Sequence, residues 1–138
     1  MKILLTGATG FVGKALGRQL LQDSSYDLLA LLRSPSPIAF DSVVLGDLAS
    51  ANDLRQVLEK VDVIIHLAAR VHVMKDNALD PLSEFRRVNV AATLNLAKQA
   101  IQAGVRRFIF LSSIKVNGET TKPMKPFTAD VTSAGFQS

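Results

Sequence analysis

The sequence predicts an α/β protein built on a doubly wound parallel sheet, and three observations predict it. A short apolar run at residues 2–6 (KILLT) leads straight into Gly7, Gly10 and Gly13, after which Ala15, Leu16, Leu20 and Leu21 recur at helical spacing. Apolar runs then alternate with helical patterns along the chain, the signature of strand–helix–strand units. One of those runs, residues 28–32 (LLALL), is apolar at every position, as a strand buried on both faces must be. Right-handed crossovers between such units give the strand order 3-2-1-4-5.

The elements follow in order. Strand one covers residues 2–6 and helix one residues 10–22, broken by Asp23, Ser24 and Ser25. Strand two is residues 28–32. A serine–proline turn, residues 34–37, separates it from a weak third strand at residues 43–45, which Gly46 and Asp47 close. Ser50 or Asn52 is a candidate cap for a short helix carrying Leu54, Val57 and Leu58. Residues 61–67 (VDVIIHL) make strand four. Asp80 followed by Pro81 reads as a helix start, a cap with proline at the first helical position. That helix carries Phe85, Val88, Ala92 and Leu96 at spacings of three and four and ends at Gly104. Residues 107–112 (RFIFLS) form strand five. Residues 113–138 hold no sustained periodicity, which is unusual inside a compact domain. The expected division is a binding unit over residues 1–112 and a loop with an irregular tail over residues 113–138, stopping before any later strand.

Composition narrows the function. A chain of 138 residues with 48% hydrophobic and 20% charged residues suits one globular domain. With no cysteine there is no disulfide, cysteine nucleophile or thiolate metal site, and the composition fits a reducing compartment, so a cytoplasmic location is expected. Two histidines, His66 and His72, are too few for a histidine-rich metal site, and no metal is expected. The first residues are not a signal peptide, because Gly7 and Gly10 interrupt the apolar run. No run approaches the roughly 18 apolar residues of a membrane span. The net charge of +4 comes without a basic stripe interleaved with aromatics, so neither nucleic acid nor membrane is an expected partner.

The chemistry begins at the glycine turn. A strand, a G-x-x-G-x-x-G turn and a helix in succession make a phosphate-binding apparatus. One glycine permits the tight turn, another lets backbone approach a pyrophosphate, and a third lets helix and strand pack closely. The helix N-terminus adds unpaired N–H groups and the positive end of a dipole.

Five ordered motifs carry a resemblance. Residues 6–13 (TGATGFVG) resemble the nucleotide-binding motif of extended short-chain dehydrogenases/reductases, the NAD-dependent epimerase/dehydratase family. Gly46-Asp47-Leu48 resembles the turn whose acidic residue meets the adenine, and His66-Leu67-Ala68-Ala69 the H-x-A-A segment after strand four. Asn89-Val90 matches an asparagine on the following helix, and residues 111–118 (LSSIKVNG) resemble the S-S-x-x-V-Y-G stretch after strand five. The resemblance spans about residues 1–126 and implies a Rossmann-like domain. It implies that Gly7, Gly10, Phe11, Val12 and Gly13 hold the pyrophosphate and that Asp47 and Leu48 contact the adenine. It also implies that Leu67, Ala68 and Ala69 border the ribose and nicotinamide, that Asn89 belongs to the cofactor site, and that Ser113 is the catalytic serine. Plain structural roles remain open beside these: Asp47 as a turn former, Asn89 as a satisfied polar group, His66 as a packed histidine, Ser113 as a strand end.

Two departures shape the functional expectation. The family's Tyr-x-x-x-Lys pair is absent: the one tyrosine, Tyr26, lies in the wrong region with Ala30 where the lysine belongs. Asn117 also replaces the usual tyrosine of the S-S-x-x-V-Y-G stretch. The expected reading is the N-terminal part of a nucleotide-sugar epimerase, dehydratase or 4-reductase using NAD(P), itself inactive. The alternative is a non-catalytic NAD(P)-binding or sensing module. An open reading frame encoding Tyr-x-x-x-Lys downstream separates the two.

Two further expectations come from single positions. NAD-binding members place an acidic residue after strand two, but here Leu32 stands at that point, followed by Arg33, about twenty residues past Gly13. Leucine accepts no hydrogen bond from a ribose, whereas the planar fork of Arg33 suits a 2′-phosphate, so NADP(H) is favoured over NAD(H). An ordinary surface arginine is the alternative. Strand five is an edge in the order 3-2-1-4-5, and its apolar FIFL run invites pairing with another chain, so self-association is expected.

Overall fold

The structure, a computed structural model, describes residues 1–50, 53–68, 87–112, 120 and 123–125. Its elements are β1 (Lys2–Thr6), α1 (Phe11–Leu21), β2 (Asp27–Leu32), β3 (Asp41–Val44), α2 (Arg55–Leu58), β4 (Val63–His66), a π-helical turn (Arg87–Ala91) that runs into α3 (Ala92–Gln102), and β5 (Arg107–Phe110). The five strands form one sheet in the order β3-β2-β1-β4-β5, and every neighbouring pair is parallel.

Successive residues of a strand point to opposite faces, and β1 shows the result. Leu4 and Leu5 are both fully buried, in two different cores. Leu4 packs with Leu31, Leu54, Leu58, Ile64 and Leu96, so α2 and α3 cover its face. Leu5 packs with Ala8, Ala30 and Leu32, and Leu16 of α1 closes over that face. Fully burying a leucine contributes about 1.5–3 kcal/mol, so two-sided burial explains the unbroken apolar runs of β1 and β2.

Chain ends of the elements are set by identifiable groups. After α1, Asp23 Oδ1 accepts hydrogen bonds from Ser25 N (2.9 Å) and Ser25 Oγ (2.7 Å), closing a turn into β2. After α3, Gly104 takes φ +77°, its N–H donates to Ile101 O and Val105 N–H donates to Ala100 O. These paired bonds are a glycine-dependent Schellman ending. α2 starts at Arg55 after Leu54, which offers no side-chain cap; Asp53 Oδ1 accepts the Arg55 N–H at 2.9 Å, and Ser50, one of the two expected caps, donates its N–H to Asp47 O. Asn52, the Asp80–Pro81 helix start, Phe85 and the expected tail motifs lie outside the described residues. No helix among the described residues is long and apolar enough to cross a membrane.

Candidate functional site

The C-terminal ends of β1, β2 and β4 converge on one edge of the sheet, where loops leave the strands and a topological switch point lies. At the end of β1, Gly7 adopts φ +71°, a conformation that L side chains rarely take. A Cβ on Gly7 would lie 2.7 Å from Ala68 N and 2.7 Å from Leu67 C, so the turn rests directly on the backbone leaving β4. Gly10 is the N-cap of α1, with no side-chain cap and no acidic residue in the first turn. Phe11 and Val12 open the helix with their side chains exposed, at 94% and 48%. Gly13 sits in that first turn against the Gly7 carbonyl, where a Cβ would come within 1.9 Å of the oxygen.

Beside the glycine turn, Thr6 and His66 are buried neighbours in the β1–β4 register. Thr6 Oγ1 lies 2.6 Å from His66 Nδ1 and accepts from Leu67 N (3.2 Å) and Ala68 N (3.1 Å). His66 Nε2 lies 2.8 Å from Thr93 Oγ1, and that hydroxyl donates to the Asn89 carbonyl at 2.9 Å. Phe110 stacks on the imidazole, with ring centroids 5.7 Å apart. Burial lowers the His66 pKa from its ordinary value, favouring the neutral ring.

The third wall comes from the loop after β3. Gly46 turns with φ +74°, and Asp47 Oδ1 then accepts the Ala49 N–H at 2.9 Å. Asp47 Oδ2 accepts from Arg87 Nη1 in a partly buried ion pair. Burial pushes the Asp47 carboxyl up. The Arg87 hydrogen bond, the Ala49 N–H and the charges of Arg87 and Arg33 outweigh it, so the pKa falls below the usual carboxylate value. Arg33, exposed just past β2, shares a cleft with Thr6, Asp47, Leu48, His66 and Ala68.

Over residues 3–136 the sequence matches the NAD dependent epimerase/dehydratase family. The chain belongs to that family. A UDP-glucose 4-epimerase of Vibrio cholerae is 46% identical over 132 residues, which cover 93% of this chain and 39% of the relative. A 3-beta-hydroxysteroid dehydrogenase of Mycolicibacterium neoaurum is 32% identical over 137 residues, covering 88% and 37%. Among solved structures, a short-chain dehydrogenase/reductase superfamily protein from Agrobacterium tumefaciens with bound NAD is similar with a TM-score of 0.80. It is 31% identical, and the match covers 96% of this chain and 39% of that one. A UDP-glucuronic acid 4-epimerase from Bacillus cereus, in complex with UDP-glucuronic acid and NAD, gives a TM-score of 0.78 at 26% identity, covering 96% and 46%. The chain spans about two-fifths of the length of the curated relatives it matches.

Within this epimerase/dehydratase family member, Arg33, Asp47, Leu48 and Ala68 line one cleft. Gly7 joins that cleft to the glycine turn through its close approach to Leu67 and Ala68. The Asn89 carbonyl accepts from Thr93, whose hydroxyl lies against His66. Ala69 and Ser113 lie outside the described residues. Sequence reading missed Thr6, Thr93 and Arg87. Thr6 and His66 had a signal, since each is a polar residue in an apolar strand and buried polar groups need partners. Arg87 carried none, because its partner Asp47 is far along the chain.

Proposed function

We propose that these residues are the dinucleotide-binding part of an NAD(P)-dependent enzyme acting on a nucleotide sugar. The observation that carries the reading is the open N-terminus of α1: Gly10 caps it without a side chain, no carboxylate stands in its first turn, and Gly7 and Gly13 bring backbone where side chains would intrude. Such an end suits an anionic pyrophosphate. Gly7, Gly10, Phe11, Val12 and Gly13 hold the pyrophosphate in this reading. In the same reading Asp47 and Leu48 contact the adenine, Leu67, Ala68 and Ala69 border the ribose and nicotinamide, Asn89 belongs to the cofactor site, and Ser113 is the catalytic serine that hydrogen-bonds the substrate. When bound, the cofactor supplies hydride transfer to and from a sugar carbon. The nucleotide-sugar class rests on the Vibrio cholerae relative's description as a UDP-glucose 4-epimerase. The cysteine-free composition supports a cytoplasmic location. A non-catalytic binding module is the second reading, favoured by one fact: four residues after the single tyrosine, Tyr26, stands Ala30 and not a lysine.

Arg33 supports a preference for NADP(H). It stands in the cleft just past β2, where Leu32 takes the position of the acidic residue that would accept from the ribose hydroxyls. A charge-assisted hydrogen bond contributes about 1.5–3 kcal/mol, so NADP(H) is expected to bind roughly 10- to 100-fold more tightly than NAD(H). Calorimetric titration of both cofactors into wild type and Arg33→Ala tests this. Equal affinities in wild type, or an unchanged ratio in the variant, remove Arg33 as selector. The same sample is expected to convert no nucleotide sugar, since no acid/base tyrosine and lysine pair is present; turnover free of contaminating enzyme defeats that.

Self-association is also proposed. β5 ends the sheet among the described residues, and Ile109, Phe110 and Leu111 beside that edge are 42%, 50% and 52% exposed. An apolar edge strand templates pairing. Light scattering is expected to show dimers or larger species at high concentration. A monomer throughout counts decisively against edge pairing.

A further inference from the structure

We infer that His66 is a positioning residue, held as the neutral Nε2–H tautomer, whose bond to Thr6 keeps the Leu67–Ala68 backbone seated under the glycine turn. Two independent proton counts give the tautomer. Thr6 Oγ1 accepts from Leu67 N and Ala68 N, which occupy both its lone pairs, so its own O–H donates to His66 Nδ1. That nitrogen therefore carries no proton. At the other side of the ring, Thr93 donates its O–H to the Asn89 carbonyl, which only accepts. Thr93 Oγ1 must then accept from His66, so Nε2 carries the proton. Both counts agree, and the chain of donors runs one way, from Thr6 through the imidazole and Thr93 to Asn89.

The direction has a structural consequence. With its proton committed to His66, the Thr6 hydroxyl presents its lone pairs to Leu67 and Ala68. Those residues form the surface on which Gly7 rests, at a separation that excludes even a Cβ. Chained hydrogen bonds polarise and reinforce one another, so the imidazole orients a contact it does not itself make. Phe110 stacks against the same ring. The link from this seating to cofactor affinity rests on the binding reading above; the seating itself does not.

Selective substitution separates the two arms of the ring. Asparagine places an acceptor where Nδ1 stands and loses the Thr93 arm. Glutamine places a donor where Nε2 stands and loses the Thr6 arm. His66→Asn is therefore expected to keep hydrogen exchange at the Leu67 and Ala68 amides within about threefold of wild type, and His66→Gln to speed it by roughly tenfold or more, the scale of one lost buried hydrogen bond. A role in packing alone predicts the reverse order, because glutamine is nearer histidine in volume. Imidazole nitrogen NMR of the wild-type chain needs no substitution. It is expected to show an unprotonated Nδ1 and a protonated Nε2 at neutral pH. An Nδ1–H tautomer, a doubly protonated ring, or equal exchange in the two variants overturns the proposal. NAD(P) affinity is expected to fall further in His66→Gln than in His66→Asn. If wild type binds no NAD(P), the binding reading fails while exchange and NMR still decide this one.

Discussion

Gly13→Ala is expected to unfold the chain or to lower its stability by at least about 3 kcal/mol, the upper range of overpacking costs. The three glycines of the turn look equivalent in sequence and are not equivalent in space. At Gly13 an added Cβ would lie 1.9 Å from Gly7 O and 2.8 Å from both Ala8 Cα and Gly7 C, all inside the 3.0 Å that real Cβ atoms respect. Each obstacle is backbone, so no side-chain rotation relieves it. Separating α1 from the end of β1 would also loosen Leu16 from the core that Leu5 and Ala30 build. Gly7→Ala is expected to cost about 2–4 kcal/mol, combining a left-handed φ, about 1–2 kcal/mol, with contact against Leu67 and Ala68. Gly10→Ala is expected to cost about 1 kcal/mol or less. Its φ is −76° and the nearest obstacle, Gly7 O, is 3.4 Å away. Urea unfolding of the three variants gives the ranking. If Gly10→Ala is as damaging as Gly13→Ala, close helix–strand approach is not what the glycines provide. Gly10→Ala also offers a folded chain in which the side of the turn assigned to the pyrophosphate carries a methyl group.

That ranking marks how far the sequence could be read. Spacing alone announced a strand–turn–helix unit, and the alternation of apolar runs announced the parallel order, because β1 and β2 must be apolar on both faces to serve two cores. The glycine after α3 was legible for the same kind of reason: a helix ending on a left-handed residue has a strong chemical preference. Strand limits were less legible. Among the described residues β3 pairs only with β2, and its first residues, Asp41 and Ser42, are exposed, so hydrophobicity underreports where it begins. The start of α2 was less legible because Leu54 precedes the helix without a side-chain cap, and Asp53 meets the first helical N–H. The least legible features join distant segments. Asp47 and Arg87 meet across the β3 loop and the π-helical turn, and Thr6, His66 and Thr93 meet across two strands and a helix. Sequence marks such residues only as polar groups in apolar surroundings and leaves the partner to the fold.

Thr6→Val is expected to lower stability by about 2–4 kcal/mol although it preserves the shape of the side chain. Thr6 is 1% exposed, and so is His66, so the ring nitrogen it leaves behind has no water to turn to. Leu67 N retains a second acceptor, the Thr6 carbonyl at 3.2 Å. Ala68 N and His66 Nδ1 lose the hydroxyl outright. An orphaned buried group costs about 1–3 kcal/mol; His66 Nδ1 is that group, and the part-buried Ala68 N adds about 1 kcal/mol, which gives the expected range. Thr6→Ser keeps the hydroxyl and removes one methyl, a loss of about 1 kcal/mol. Denaturant midpoints at unchanged m-value compare the two, since a constant slope shows that the same surface is exposed on unfolding. Serine recovering most of what valine loses identifies the hydroxyl as the group that matters. A valine variant as stable as wild type shows that the Thr6 hydroxyl holds nothing. A serine variant as weak as the valine one assigns the effect to the methyl and its packing against the sheet.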